Sequence, residues 1–101
     1  MNILFICNQN QNRSKTAEEI FKNKFNTSSA GLYNDNPVTE KELSEADIII
    51  VMEDHQRSEI ANRFPEQYLK KQIISLEISD IYKYNQPELI DKLKEKMKGL
   101  F

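Results

Sequence analysis

The chain is predicted to be an α/β protein, a parallel sheet covered by helices on both faces, and three observations predict it. Short apolar runs alternate along the sequence with segments whose apolar residues recur at helical spacing, the order that joins parallel strands through crossover helices. One run, residues 47–52, is continuously apolar after Asp47 and rich in β-branched residues, as a strand buried on both faces requires. At the front of the chain, an apolar run gives way to a polar loop and then at once to a helical pattern.

Each element has its own signal. Residues 1–6 form the first strand, which Cys7 closes; from Ser14 onward Ala17, Ile20, Phe21 and Phe25 fall on one helical face. Residues 27–30 are a short strand ending at Gly31, followed by a polar loop over 32–36. Thr39-x-x-Glu42 is a capping box that opens a short helix reaching about Glu45. The third strand covers 47–52. A helix over 53–64 ends at Pro65, since a residue before proline is disfavoured in the helical region, and a further turn covers 66–69. Residues 72–76 are the fourth strand and 77–85 a loop. The last helix, 87–98, has Pro87 at its first position, where the missing N–H is no loss. Its apolar stripe is Leu89, Leu93, Met97 and Leu100, while Lys92, Lys94, Lys96 and Lys98, interspersed with Asp91 and Glu95, form a solvated face.

The loop Cys7-Asn8-Gln9-Asn10-Gln11-Asn12-Arg13-Ser14 has the makings of a phosphate cradle with a nucleophile in it. A strand-to-helix turn aims unpaired backbone N–H groups and the positive end of the helix dipole into the loop, where an oxyanion would sit. A free thiol is mostly protonated at neutral pH, so a nucleophilic cysteine needs surroundings that favour the thiolate. Here the amides of residues 8–13, the permanent charge of Arg13 and the Ser14 hydroxyl are all candidates. Arg13 also has the planar fork that grips two oxygens of a phosphoryl group, which a lysine cannot reproduce. Cys7 is therefore the candidate nucleophile, with Asn8, Gln9, Asn10, Gln11, Asn12, Arg13 and Ser14 as the phosphate-binding set. The competing reading of Cys7 is a buried strand-end thiol. Asn10 reads either as a side chain pinning the loop through backbone or Ser14, or as a polar residue suited to a left-handed turn.

Ligands of open parallel sheets bind beyond the carboxyl ends of the strands, and Cys7, Glu53 and Asp80 each follow a strand. Tyr82 and Tyr84, with Tyr33 on the opposite loop, are candidates to wall a cleft for an aromatic ring, although Tyr33 and Tyr84 read rather more readily as half-exposed surface residues. His55, the single histidine, sits among Asp54, Gln56 and Arg57 and has no partners for a metal site. No metal or cofactor is expected.

Residues 3–18, ending in Ala17-Glu18, resemble the amino terminus of the low-molecular-weight protein tyrosine phosphatases, whose loop reads Cys-(x)5-Arg-Ser before Ala-Glu on the first helix. Ser29-Ala30-Gly31 is similar to the family's second-strand ending, and residues 46–53 to its third strand running into Val-Met-acid. Asp80-Ile81-Tyr82 stands where the family carries Asp-Pro-Tyr. The likeness is greatest to a short bacterial group of predicted tyrosine phosphatases that also lack a second loop cysteine. The resemblance implies a three-layer α/β/α domain with sheet order 2-1-3-4 and a phosphate-binding loop after strand 1. It further implies hydrolysis of phosphotyrosine in proteins, or of small aryl phosphates, through a phosphocysteine, with Asp80 as general acid and Glu77 as its substitute. Departures are Gln9 for a glycine, which would be strained if that position takes positive φ, Lys15 and Ile81 for prolines, and Asn12 for the second cysteine. Without that second cysteine the loop cannot form a protective disulfide.

With 101 residues the chain is expected to be one domain, 1–101, a trimmed version of the family's fold. No run approaches 18 apolar residues and no secretory signal precedes the first strand, so a cytoplasmic protein without a membrane segment is expected. A net charge of -2 offers no general attraction to nucleic acid or to anionic membranes. With one cysteine there is no intramolecular disulfide, and the Asn-x-Ser triplets at Asn12 and Asn26 carry no meaning without secretion. Three other functions fit parts of the pattern. Arsenate reduction coupled to thioredoxin requires more cysteines; a phosphocarrier like the IIB components of sugar phosphotransferase systems does not need Arg13 with Asp80. A non-catalytic phosphate or phosphopeptide-binding module would follow if Gln9 and the shortened chain disable turnover.

Overall fold

Strand β1 (Asn2–Cys7) is the axis of the computed structural model, which describes residues 1–100. It lies between β2 (Asn26–Gly31) and β3 (Ile48–Val51), with β4 (Gln72–Ser75) outside β3, and all pairings are parallel. The order β2-β1-β3-β4 is the one that the family resemblance implies. Cys7 is in register with Gly31, Ile6 with Val51, and Val51 with Ser75, so the four carboxyl ends form one rim.

Helices connect the strands: α1 (Arg13–Phe21), α2 (Glu40–Glu45), α3 (Asp54–Arg63) with α4 (Pro65–Lys70), and α5 (Pro87–Met97) after β4. Because successive strand side chains point to opposite faces, the continuous apolar runs supply two cores at once. Ile3, Phe5, Ile48, Ile50 and Met52 pack with Ala17 and Phe21 of α1 and with Leu89, Leu93 and Met97 of α5. Leu4, Ile6, Ile49 and Val51 face the other way, against Leu43 of α2 and Ile60 of α3. Cys7 belongs to the first of these cores, so the nucleophile candidate is seated on the α1 side of the sheet.

The capping box is formed: Thr39 Oγ1 accepts from the Glu42 N–H at 3.2 Å, and Glu42 Oε1 accepts from the Thr39 N–H at 3.0 Å. Two apolar positions differ from expectation. Helix α1 stops at Phe21, and Phe25 reaches the same core from the turn that follows rather than from the helix face. Leu100 lies beyond α5 and is 38% exposed, so the stripe ends at Met97. Among the described residues no helix is long and apolar enough to cross a membrane.

Truncating Leu93, which is fully buried between α5 and the sheet, to alanine is expected to cost about 2–5 kcal/mol of stability in urea denaturation. The same change at Leu69, 84% exposed, is expected to move stability by less than about 0.5 kcal/mol.

Candidate active site

The chain leaves β1 at Cys7, turns through residues 8–12 and enters α1 at Arg13. Asn12 occupies the N-cap without a side-chain capping bond, so the first turn of α1 keeps its N–H groups for something else. The left-handed residue of the turn is Asn10, at φ 55, not Gln9. Asparagine tolerates that conformation, so the glutamine in place of the expected glycine meets no positive-φ strain. Both readings of Asn10 hold together, because its Oδ1 also accepts the Ser14 hydroxyl at 2.7 Å.

Ser14 Oγ lies 2.9 Å from Cys7 Sγ, and both residues are buried. A hydroxyl has one proton to give. While Ser14 gives it to Asn10, the Cys7 thiol must be the donor to Ser14. In the thiolate form the serine proton turns to sulfur and the Asn10 amide presents its NH2 to Ser14, a change of rotor and amide orientation only. The trio can therefore stabilise either protonation state of Cys7.

Arg13 is 1% exposed, and its guanidinium spans the rim. Nη1 donates to the Glu53 carboxylate and, at 2.7 Å, to the Ile78 carbonyl; Nε is 3.7 Å from Asp80 Oδ1. Glu53 opens α3 after β3, while Ile78 and Asp80 follow β4. One cation thus ties together the segments that follow three strands.

A second set of contacts holds the loop itself, and sequence reading missed it. Gln56, fully buried on α3, accepts from the N–H groups of Met52 and Glu53 at 2.8 and 2.9 Å and donates to Asn8 Oδ1 at 2.9 Å. The Asn8 carbonyl accepts from the N–H groups of Leu32 and Tyr33. This close approach explains Gly31: a Cβ there would stand 2.7 Å from Asn34 Oδ1 and 3.0 Å from the Asn8 carbonyl oxygen. Thr16, also buried, donates to the Asn12 carbonyl at 2.7 Å and accepts from the Asn85 N–H at 2.9 Å, fastening the loop that carries Asp80 to α1.

What remains open is a depression of about 60 Å³ lined by Cys7, Gln9, Gln11, Asn12, Arg13 and Asp80. At about 30 Å³ for each water, it accommodates about two waters or one small oxyanion. Asp80, 56% exposed, stands at its mouth. Of the other predicted residues, Asn8 and Asn10 serve the loop through Gln56 and Ser14. Glu77 accepts from Ser75 Oγ at 2.6 Å. None of the three tyrosines lines the depression: Tyr33 carries the Arg63 guanidinium over its ring at 5.1 Å, Tyr82 packs on the α1-side core, and Tyr84 is half-exposed. His55 is exposed, with Nε2 3.6 Å from Glu53 Oε1. Among the described residues no group of three or more His, Cys, Asp or Glu could hold a metal ion.

The chain has the fold of the low molecular weight protein tyrosine phosphatases. A YwlE mutant from Bacillus subtilis superposes with a TM-score of 0.77 at 24% identity, covering 99% of this chain and 98% of that one. The tyrosine phosphatase Wzb from Escherichia coli K30, in complex with phosphate, gives 0.77 at 21% identity over 96% and 93%. The YwlE arginine phosphatase from Geobacillus stearothermophilus gives 0.70 at 21% identity over 96% and 92%. No family model and no curated protein matches the sequence.

Replacing Gln56 by leucine takes the acceptor from the Glu53 N–H, leaves the Met52 N–H with only its 3.2 Å bond to the Ile6 carbonyl and releases Asn8, and is expected to cost about 1–3 kcal/mol in chemical denaturation. Gly31→Ala is expected to displace the Asn34 side chain and the Asn8 peptide, seen as amide chemical-shift changes concentrated in residues 8–14.

Proposed function

We propose that the chain is a cysteine-dependent phosphatase, one domain over residues 1–101, that hydrolyses phosphotyrosine in proteins or small aryl phosphates. The observation that carries this reading is the convergence of a sulfur, a guanidinium and a carboxylate, from Cys7, Arg13 and Asp80, on one depression of phosphoryl size. A phosphocarrier has only to hold a phosphoryl group on sulfur, whereas Arg13 with a proton donor at the mouth serves hydrolysis and its leaving group.

The reaction takes two steps. The Cys7 thiolate attacks phosphorus while Arg13 and the amides of residues 8–14 hold the three equatorial oxygens; the bond from phosphorus to the leaving oxygen breaks, and that oxygen takes the proton of Asp80. Water then attacks the phosphocysteine, Asp80 accepts its proton, the P–S bond breaks, and phosphate and thiolate are restored. Ser14 donates a hydrogen bond to the thiolate sulfur at both ends of the cycle. The depression takes the phosphoryl group alone, so the leaving group lies outside it, where Tyr82, Tyr84 and Tyr33 would have to form any aromatic wall. With its single cysteine the site has no internal thiol to reverse overoxidation, which suits the reducing cytoplasm.

A second substrate class has a specific observation in its favour. Amide and carboxylate side chains, not aromatic rings, line the depression, and arginine phosphatases are among the proteins of this fold. Phosphoarginine is therefore the competing substrate.

The test is steady-state hydrolysis of aryl phosphates and of phosphoarginine in metal-free reducing buffer. Cys7→Ser is expected to abolish turnover, and Asp80→Asn to lower kcat on an aryl phosphate by about 10²–10⁴-fold, less as the leaving group becomes more acidic. Preference for phosphoarginine would move the substrate assignment. A folded wild-type protein that binds phosphate without turning over either substrate would contradict the phosphatase and leave a carrier or a binding module.

A further inference from the structure

We propose that Glu53 is the resident counter-ion of the phosphoryl site: it holds Arg13 in place before phosphate arrives and, by the same charge, keeps the site's grip on phosphate weak. The inference rests on reading the depression as a phosphate site.

A guanidinium that is 1% exposed needs a compensating charge. Glu53 supplies it at Nη1, from a position only 29% exposed and tied to the turn at the start of α3. The other two partners are weaker substitutes. The Ile78 carbonyl on the same nitrogen is neutral, and Asp80, at 3.7 Å from Nε, is 56% exposed and must be protonated to act as an acid. Glu53 therefore sets both where Arg13 points and how much of its charge is left over.

An arriving phosphate meets an account of charge that is nearly closed. Among the described residues Arg13 is the one cationic side chain lining the depression, and the Glu53 carboxylate already offsets its charge, with Asp80 at the greater distance of 3.7 Å. Phosphate must share that cation with Glu53 and is repelled by Glu53 across it, in a partly buried setting where solvent screens little. Removing the carboxylate frees the arginine's charge for the ligand, at the cost of a looser guanidinium. For a phosphate product the charge effect is the larger, because the ligand's oxygens reorient the fork themselves through two-pronged bonds. Glu53 thereby favours release of product, and its position favours catalysis. His55, close to the same carboxylate oxygen but half in solvent, does not contact Arg13 in any hydrogen bond or ion pair.

An ordinary buried ion pair would behave otherwise. Its loss would lower stability and leave phosphate binding unchanged or weaker.

The decisive experiment compares wild type with Glu53→Gln, using inorganic phosphate as the probe. Melting temperature is read with and without phosphate, and phosphate inhibition is read against aryl phosphate turnover. Glu53→Gln is expected to melt lower than wild type without phosphate, to gain more from added phosphate than wild type does, and to bind phosphate at least about fivefold tighter. Its kcat and KM are expected to fall together. Glu53→Ser, which preserves a good N-cap for α3 while removing the carboxylate, is expected to show the same phosphate-dependent recovery and serves if the glutamine variant does not fold. Phosphate affinity equal to or weaker than wild type in these variants overturns the role of Glu53 while leaving the site reading intact. A wild-type protein that neither binds phosphate nor turns over substrate overturns both.

Discussion

The buried guanidinium of Arg13 is the constraint around which the site is built. A cation taken out of water has to find acceptors, and those available here belong to segments far away in sequence: Glu53, 40 residues on, and the Ile78 carbonyl, 65 residues on. Meeting that demand fixes the ends of β3 and β4 relative to the loop after β1. It is possible because a parallel sheet brings all its carboxyl ends to one rim, so the same topology that buries the apolar runs also gathers the charges. A lysine, with a single compact charge, could not bond the β3 and β4 segments and still offer a planar edge to a ligand.

The loop is rigid for a second reason, which is hydrogen-bond accounting. Its polar side chains divide between bracing and facing the depression. Asn8 and Asn10 turn away to Gln56 and Ser14, while Gln9, Gln11 and Asn12 line the opening. Thr16 links the loop to the segment carrying Asp80 through Asn85, so the acid candidate and the nucleophile candidate are referenced to the same turn of α1. A site prepared in this way would spend little on reorganisation in the proposed reaction, as charge develops at the phosphoryl oxygens.

Much of this was legible in the sequence because it is local. The β-branched run around Ile49 announces a strand with two covered faces, Thr39 and Glu42 announce a helix start, and Pro65 and Pro87 mark helix boundaries that the structure retains. Cys7, Arg13 and Asp80 were named from spacing and resemblance, and they meet at one depression. What escaped was non-local or conformational. Gln56 looks like a surface helix residue until its partner 48 residues away is known, and Thr16 binds Asn85 across 69 residues. The left-handed residue of the loop could not be placed from composition, because Asn10 and Gln9 are adjacent and only the backbone decides between them. Tyr33 and Tyr82 have apolar faces that suit several neighbours, and here one holds Arg63 and the other the core.

The account stands or falls on a covalent phosphoryl group at the only cysteine. Rapid acid quench of turnover with an aryl phosphate, followed by peptide mass analysis, tests it most directly. One phosphoryl group on the peptide that contains Cys7, appearing before free phosphate reaches its steady rate and persisting longer when Asp80 is replaced by asparagine, is the predicted result. Turnover with no adduct at Cys7, or with the phosphoryl group on another residue, would contradict it.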